Sequence, residues 1–178
     1  MTIKLTWYGH AAFALNVGGT RVLAALRPLV DPFLTDNPLA PISADAVEAD
    51  YILVTHGHPD HIGDTIAIAK RTLSPVALRL SIISNFEICN WFQAQEVGHT
   101  HAQHIGGGFQ HPFGYLKLTI AHHGSGLGSY GGNPCRMFVI RRMFVIRGLL
   151  LTAENKKLYL AGDTPAFLQH AAHRRGGD

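Results

Sequence analysis

Apolar and polar residues alternate at the start of the chain, with Ile3, Leu5 and Trp7 set against Thr2, Lys4 and Thr6. That period of two predicts a strand with one buried face. Residues 11–17 predict a second strand, and Gly18–Gly19 a turn into a third apolar run, Arg21–Val22–Leu23. Residues 24–29 then interrupt the pattern. Pro28 cannot donate to a sheet ladder, so this stretch predicts a bulged loop or a broken strand. Residues 37–41 are loop, and Ser43 caps one helical turn reaching Glu48. Tyr51, Ile52, Leu53, Val54 and Thr55 form an unbroken apolar, β-branched run of the length of a buried strand. Ile62, Ile66, Ile68 and Ala69, followed by Lys70 and Arg71, predict a short helix. Val76, Leu78, Leu80 and Ile82 alternate as a further strand. Ser84 with Glu87 has the spacing of a capping box, opening a helix through Ile88, Cys89, Trp91 and Phe92. Residues 97–113 are rich in histidine and glycine and predict loop. Residues 115–121 and 158–161 predict two more strands.

The strand at Tyr51 runs straight into His56, His58, Asp60 and His61, with Gly57 and Pro59 turning the backbone between them. A strand end followed by a helix start is where open sheets place their sites. Neutral imidazoles suit zinc and similar cations, and the carboxylate adds a harder oxygen donor. So short a loop divides naturally, with His56 and His58 toward one ion and Asp60 and His61 toward a second. The plainer alternative is a polar helix-entry turn with Asp60 as its N-terminal charge.

This run, YILVTHGHPDHIGD, resembles the HxHxDH signature of metallo-β-lactamase-fold proteins. WYGHAAF (7–13), VDPF (30–33), HIGGG (104–108), AHHGS (121–125) and LAGDT (160–164) resemble, in order, segments of one branch, the UlaG-like hydrolases related to L-ascorbate-6-phosphate lactonase. The resemblance implies an α/β fold, a four-layer αββα sandwich. It implies a hydrolase that activates water to cleave an ester, lactone or phosphodiester bond; the cytoplasmic setting is expected separately, from the lack of a signal-like start or membrane-spanning run. It also implies two divalent metal ions, zinc or manganese. His56, His58 and His123 would hold one, and Asp60, His61 and a bridging Asp163 the other, with Asp60 also catalytic by orienting the nucleophile. His10, Asp31 and His104 are implied as substrate-contacting or supporting residues. On this reading residues 1–178 are a single domain lacking the family's C-terminal strands and final ligand, so the second ion is held more weakly. The alternative is a non-catalytic metal-binding remnant of such a hydrolase.

Composition narrows the partners. With 47% hydrophobic and 15% charged residues the chain matches a soluble globule. A net charge of +3 comes from scattered basic residues, so nucleic acid is not expected and a small, even anionic, substrate is. No apolar run is long enough to span a bilayer, so no membrane partner is expected. Cys89 and Cys135 form no CxxC pair and predict reduced thiols. The hexamer RMFVIR at 136–141 recurs at 142–147 as a duplication without functional meaning. His170 and His173 are expected to be solvated tail residues, and an oligomer would cover any apolar sheet face left bare.

Overall fold

The computed structural model describes residues 3–18, 25–72, 80–127 and 146–163. Strands β1 (Ile3–Trp7), β2 (Phe13–Val17) and β3 (Pro28–Val30) pair antiparallel in succession. Then β4 (Tyr51–Leu53), β5 (Ser81–Ser84) and β6 (His99–Ala102) add on in parallel, completing a six-stranded sheet in sequence order. The parallel pairs need crossovers; residues 31–50 make the one from β3 to β4 as a loop, and helices make the other two. Helices α1 (Pro59–Ile62) and α2 (Thr65–Thr72) join β4 to β5, and α3 (Phe86–Ala94) joins β5 to β6. The second sheet is antiparallel, built from β7 (Gly108–His111), β8 (Gly114–Ala121), β9 (Ile146–Ala153) and β10 (Lys156–Leu160), in the order β10–β9–β8–β7.

Alternation along each strand sorts the apolar residues into two layers. Leu29, Ile52, Val54 and Ile82 pack with Ile66, Ile68, Ile88 and Phe92 of the helices. Their neighbours Val30, Leu53 and Ile83 point the other way, against Phe113, Leu116, Leu118, Leu149 and Leu151. Strands β3, β4 and β5 are therefore covered on both faces, which is why β4 reads as a continuous apolar run. Each fully buried Leu or Ile contributes about 1.5–3 kcal/mol. The α/β architecture thus stacks helices, a mixed sheet and an antiparallel sheet. Among the described residues no helix covers the outer face of the second sheet, where Tyr115 and Ile120 are exposed.

Several local expectations give way. Pro28 is the first residue of β3, a central strand. The first position of a strand is one that proline tolerates. Arg27 just before it donates to Asp50, through its backbone N–H and guanidinium, and pairs with Glu48. Residues 97–113 contain β6 and β7, edge strands too short for alternation to register. Leu5 and Trp7 are exposed because β1 is also an edge. The cap of α3 is Asn85, whose side chain accepts from the Ile88 N–H; Ser84 Oγ instead donates to the Val54 carbonyl. The expected helix after the His loop is split by Gly63. Its φ is +43°, and a Cβ there would meet the Pro32 carbonyl at 2.3 Å. The turn at Ser43 forms, with Val47 N–H bonded to its carbonyl. Cys89 is buried. The run at residues 21–23, the first part of the strand expected around Leu78, the RMFVIR repeat up to residue 145, Cys135, and the tail with His170 and His173 lie outside the described residues.

Candidate metal centre

The parallel strands deliver their carboxyl ends to one side of the sheet, and two of those ends make the site. Leaving β3, the chain places Asp31 at φ +41°, and leaving β4 it reaches Thr55 and His56. Asp31 is 1% exposed and takes three hydrogen bonds. Thr55 N–H donates to Oδ1 at 2.7 Å, Thr55 Oγ1 donates to Oδ2 at 2.6 Å, and His61 Nδ1 lies 2.9 Å from Oδ2. A carboxylate only accepts, so the proton of this last bond sits on His61 Nδ1.

The same reasoning fixes His56. Thr55 Oγ1 has given its one proton to Asp31, so at 3.0 Å it accepts from His56 Nδ1–H. His56 Nε2 is thereby left with a lone pair, 3.0 Å from His58 Nδ1. Two donors on one tetrahedral cation at 2.0–2.1 Å stand about 3.3 Å apart, so this pair is close to ligand spacing. His123, at the end of β8, completes the group, its ring 5.4 Å from that of His56 and 5.1 Å from that of His58. Gly57 N–H donates to Ser125 Oγ at 3.2 Å, fastening the first loop to the His123 loop. His58, the residue before α1, offers that helix no side-chain cap. Its ring is turned to its neighbours instead.

A second donor group lies beside the first. His10, Asp60, His61 and Asp163 each offer a ligand atom within 4.8 Å of the others, as do His56, His58 and His123 among themselves. Asp163, just beyond β10, stands between the groups, 3.2 Å from His61 Nε2 and 3.8 Å from His123 Nε2. His61 is fully buried, yet its Nε2 has no hydrogen-bond partner, since the Asp163 oxygen is near but not aligned. An orphaned buried imidazole nitrogen facing a carboxylate and two further donors is what a cation would satisfy. The residues present fit a divalent ion.

Electrostatics distinguish the groups. Burial, with His61 and His58 adding to it, lowers His56 to a pKa of about 3, so its ring is neutral and ready as a ligand. Burial also works to lower His61, but the hydrogen bond and charge of Asp31, followed by Asp163 and Asp60, outweigh it and raise its pKa above the ordinary 6.5. For Asp163, burial pushes up, while His61, His56 and His10 prevail and hold it below the usual carboxylate range.

A cavity of 510 Å³ opens against this centre. His10, Asp31, Thr55 and Asp163 form its polar wall, and Phe13, Val30, Tyr159 and Leu160 its apolar one. Of the residues singled out in the sequence, His56, His58, Asp60, His61, His123, Asp163, His10 and Asp31 are brought together here. His104 is not among the residues lining the cavity. It lies exposed in the loop after β6, stacked on Phe86 with ring centroids 6.5 Å apart. Thr55, Ser125 and Asp64 lie within stretches the sequence singles out, but their roles emerge only from their bonds. Asp64 accepts from the Leu34 and Thr35 N–H groups, clamping the VDPF loop onto the ligand loop.

Residues 26–177 match the family model described as the beta-lactamase superfamily domain. The chain belongs to that family. It is 44% identical over 169 residues to a UPF0173 metal-dependent hydrolase of Carboxydothermus hydrogenoformans, covering 93% of this chain and 64% of that protein. A second UPF0173 metal-dependent hydrolase, from Heliobacterium modesticaldum, is also 44% identical, over 91% of this chain and 60% of its own length. Among solved structures it is similar to Igni18, a metallo hydrolase from Ignicoccus hospitalis, at 28% identity and a TM-score of 0.67. That match covers 94% of this chain and 63% of Igni18. The chain therefore spans less than two thirds of the length of these relatives.

Proposed function

We propose that this beta-lactamase superfamily domain is the metal-binding and hydrolytic part of an enzyme that cleaves an ester, lactone or phosphodiester bond in a small molecule with activated water. The observation that carries the reading is the convergence of two donor groups on one cavity, with His61 Nε2 buried and without a hydrogen-bond partner between them. His56, His58 and His123 would hold one ion, and Asp60 and His61 the other, with Asp163 between the two. The imidazole-rich group suits zinc, and the carboxylates of the second group make manganese equally apt there. Bound in this way, divalent cations supply a hydroxide nucleophile at neutral pH and withdraw charge from the bond under attack.

The chain's own residues do the rest. Asp31 keeps His61 in one tautomer and orientation, and Thr55 does the same for His56, the outer support that ligating histidines need. Asp60 would orient the attacking water, take the proton it loses on becoming hydroxide and return it to the leaving group. Phe13, Tyr159 and Leu160 hold the apolar part of the substrate and keep bulk water from the reacting bond. A cytoplasmic setting belongs to the same reading, as two widely spaced cysteines fit a reducing compartment.

The test is hydrolysis of a panel of esters, lactones and phosphodiesters by the 178-residue chain, before and after chelation and after adding back zinc or manganese. Turnover that follows the metal supports the proposal. Turnover indifferent to chelation overturns it, and metal uptake without turnover on any of the three classes would leave a metal-binding domain only.

A further inference from the structure

His10 differs from the other donors in how it is delivered. It comes from the connection between β1 and β2, far along the chain from the ligand loop, and its backbone lies in the left-handed region at φ +50°. That conformation is uncommon outside glycine, although histidine adopts it more readily than most residues. Gly9 before it is also left-handed, at φ +88°, and a Cβ there would meet Leu39 Cβ at 2.7 Å. The loop is held from three directions. Trp7 Nε1 donates to the His10 carbonyl at 2.9 Å, Tyr8 N–H donates to the Ala12 carbonyl at 2.8 Å, and Asn37 Nδ2 donates to the Tyr8 carbonyl at 3.3 Å. The arch is the reversal between antiparallel β1 and β2, fixed by these bonds. It leaves the His10 imidazole beside Asp60 and His61.

That imidazole stands edge-on to His61, with centroids 4.9 Å apart, and its Nε2 is 3.3 Å from Asp60 Oδ2. Opposite them, His61 Nε2 and Asp163 Oδ2 are 3.2 Å apart. Ligands of one tetrahedral ion at 2.0–2.2 Å are separated by about 3.3–3.6 Å, so both pairs sit near the length of a tetrahedron's edge. His61 Nε2 is the independent sign that something belongs between them, being wholly buried and without a hydrogen-bond partner.

We infer that His10, through Nε2, is a protein ligand of the second cation, closing a four-donor set with Asp60, His61 and Asp163; this rests on the two-cation reading above. His10 is then part of the inner sphere and not a residue that merely lines the substrate pocket.

The experiment is titration of the metal-free 178-residue chain with Co²⁺, following visible absorption and the hyperfine-shifted imidazole N–H proton signals. The wild-type chain is expected to take two equivalents and to show a shifted N–H signal for His10 beside those of His56, His58, His61 and His123. His10→Ala should keep the first equivalent at unchanged affinity, lose that signal and weaken the second equivalent by about 100-fold or more, beyond what loss of outer-shell support costs. His10→Asp, which restores a donor, should recover the second equivalent with an altered absorption band. If His10→Ala binds both equivalents as the wild type does, or if His10→Gln lacks no shifted signal that the wild type shows, His10 is outside the inner sphere while two cations remain. If the wild-type chain itself accepts only one equivalent, the two-cation reading fails instead, and this inference with it. The wild-type and His10→Gln spectra decide the point even if His10→Ala folds poorly.

Discussion

The molecule carries two histidine clusters, and they share almost nothing but the imidazole. At the strand ends of the first sheet, His56, His58, His61, His123 and His10 stand among Asp31, Asp60 and Asp163. Away from that cluster, on edge strands β6 and β7, His101 and His111 stand among Phe109, Phe113 and Tyr51. His111 lies flat against Phe113, with centroids 5.0 Å apart and planes 4° from parallel. Burial, with His101 beside it, lowers His111 to a pKa of about 4. Carboxylates fix tautomers, leave ring nitrogens aimed at a common point and keep charge tolerable. Phenyl rings do none of this. The second pair packs as aromatic residues pack, and among the described residues no third metal-binding side chain joins it. Histidine count therefore says little about a site, whereas the neighbours of each ring say a great deal.

The comparison can be broken first at the carboxylate-lined cluster. His56→Ala should lower metal-dependent hydrolysis by more than about 100-fold, above the range for supporting residues, while His101→Ala should leave the metal content of the chain unchanged. Metal analysis and rate measurement on both variants check this, and equal losses from the two would erase the distinction. Asp31→Asn should weaken metal binding by about 10–100-fold, because the amide can present an N–H where His61 needs an acceptor. Calorimetric titration reads that change.

The aromatic cluster makes its own prediction, in acid. His111 is neutral when folded, but in the unfolded chain its pKa returns to about 6.5. Between pH 6.5 and about 4 the unfolded state binds a proton that the folded state does not. Stability is then fully present above pH 6.5 and falls by up to about 3 kcal/mol toward pH 4. His101, also lowered by burial, acts in the same direction. Denaturant unfolding of the metal-free chain across this window tests the sign. His111→Phe should flatten the slope and stabilise the neutral protein by about 1 kcal/mol, since it removes a buried Nε2 with no hydrogen-bond partner. The smallest effect is expected from Ser125→Ala, about 1 kcal/mol from one lost hydrogen bond to Gly57, with the metal site kept.

Legibility followed the same physical divide. Strand β4 and the donors after it were readable because a buried strand must be apolar along its whole length and the ligands follow at once. Strands β6 and β7 were not, because an edge strand of four residues needs no apolar face and His99–Ala102 has none. Pro28 misled because its position within the strand, and not its identity, decides whether a ladder bond is lost. Asn85 took the cap that the Ser84–Glu87 spacing had suggested, since Ser84 is buried and already committed to the Val54 carbonyl.

By itself the sequence determined which side chains could act as donors and that four of them leave one strand end together, because that proximity is covalent. Only the tertiary structure decided that residues 31, 55, 10, 123 and 163 meet them. Those positions are separated by whole strands and loops, and what joins them is the parallel register of β3 and β4 and the packing of one sheet on the other. It also decided which nitrogen of His56 and of His61 faces the centre. Tautomer choice belongs to hydrogen-bond partners, and partners are chosen by folding.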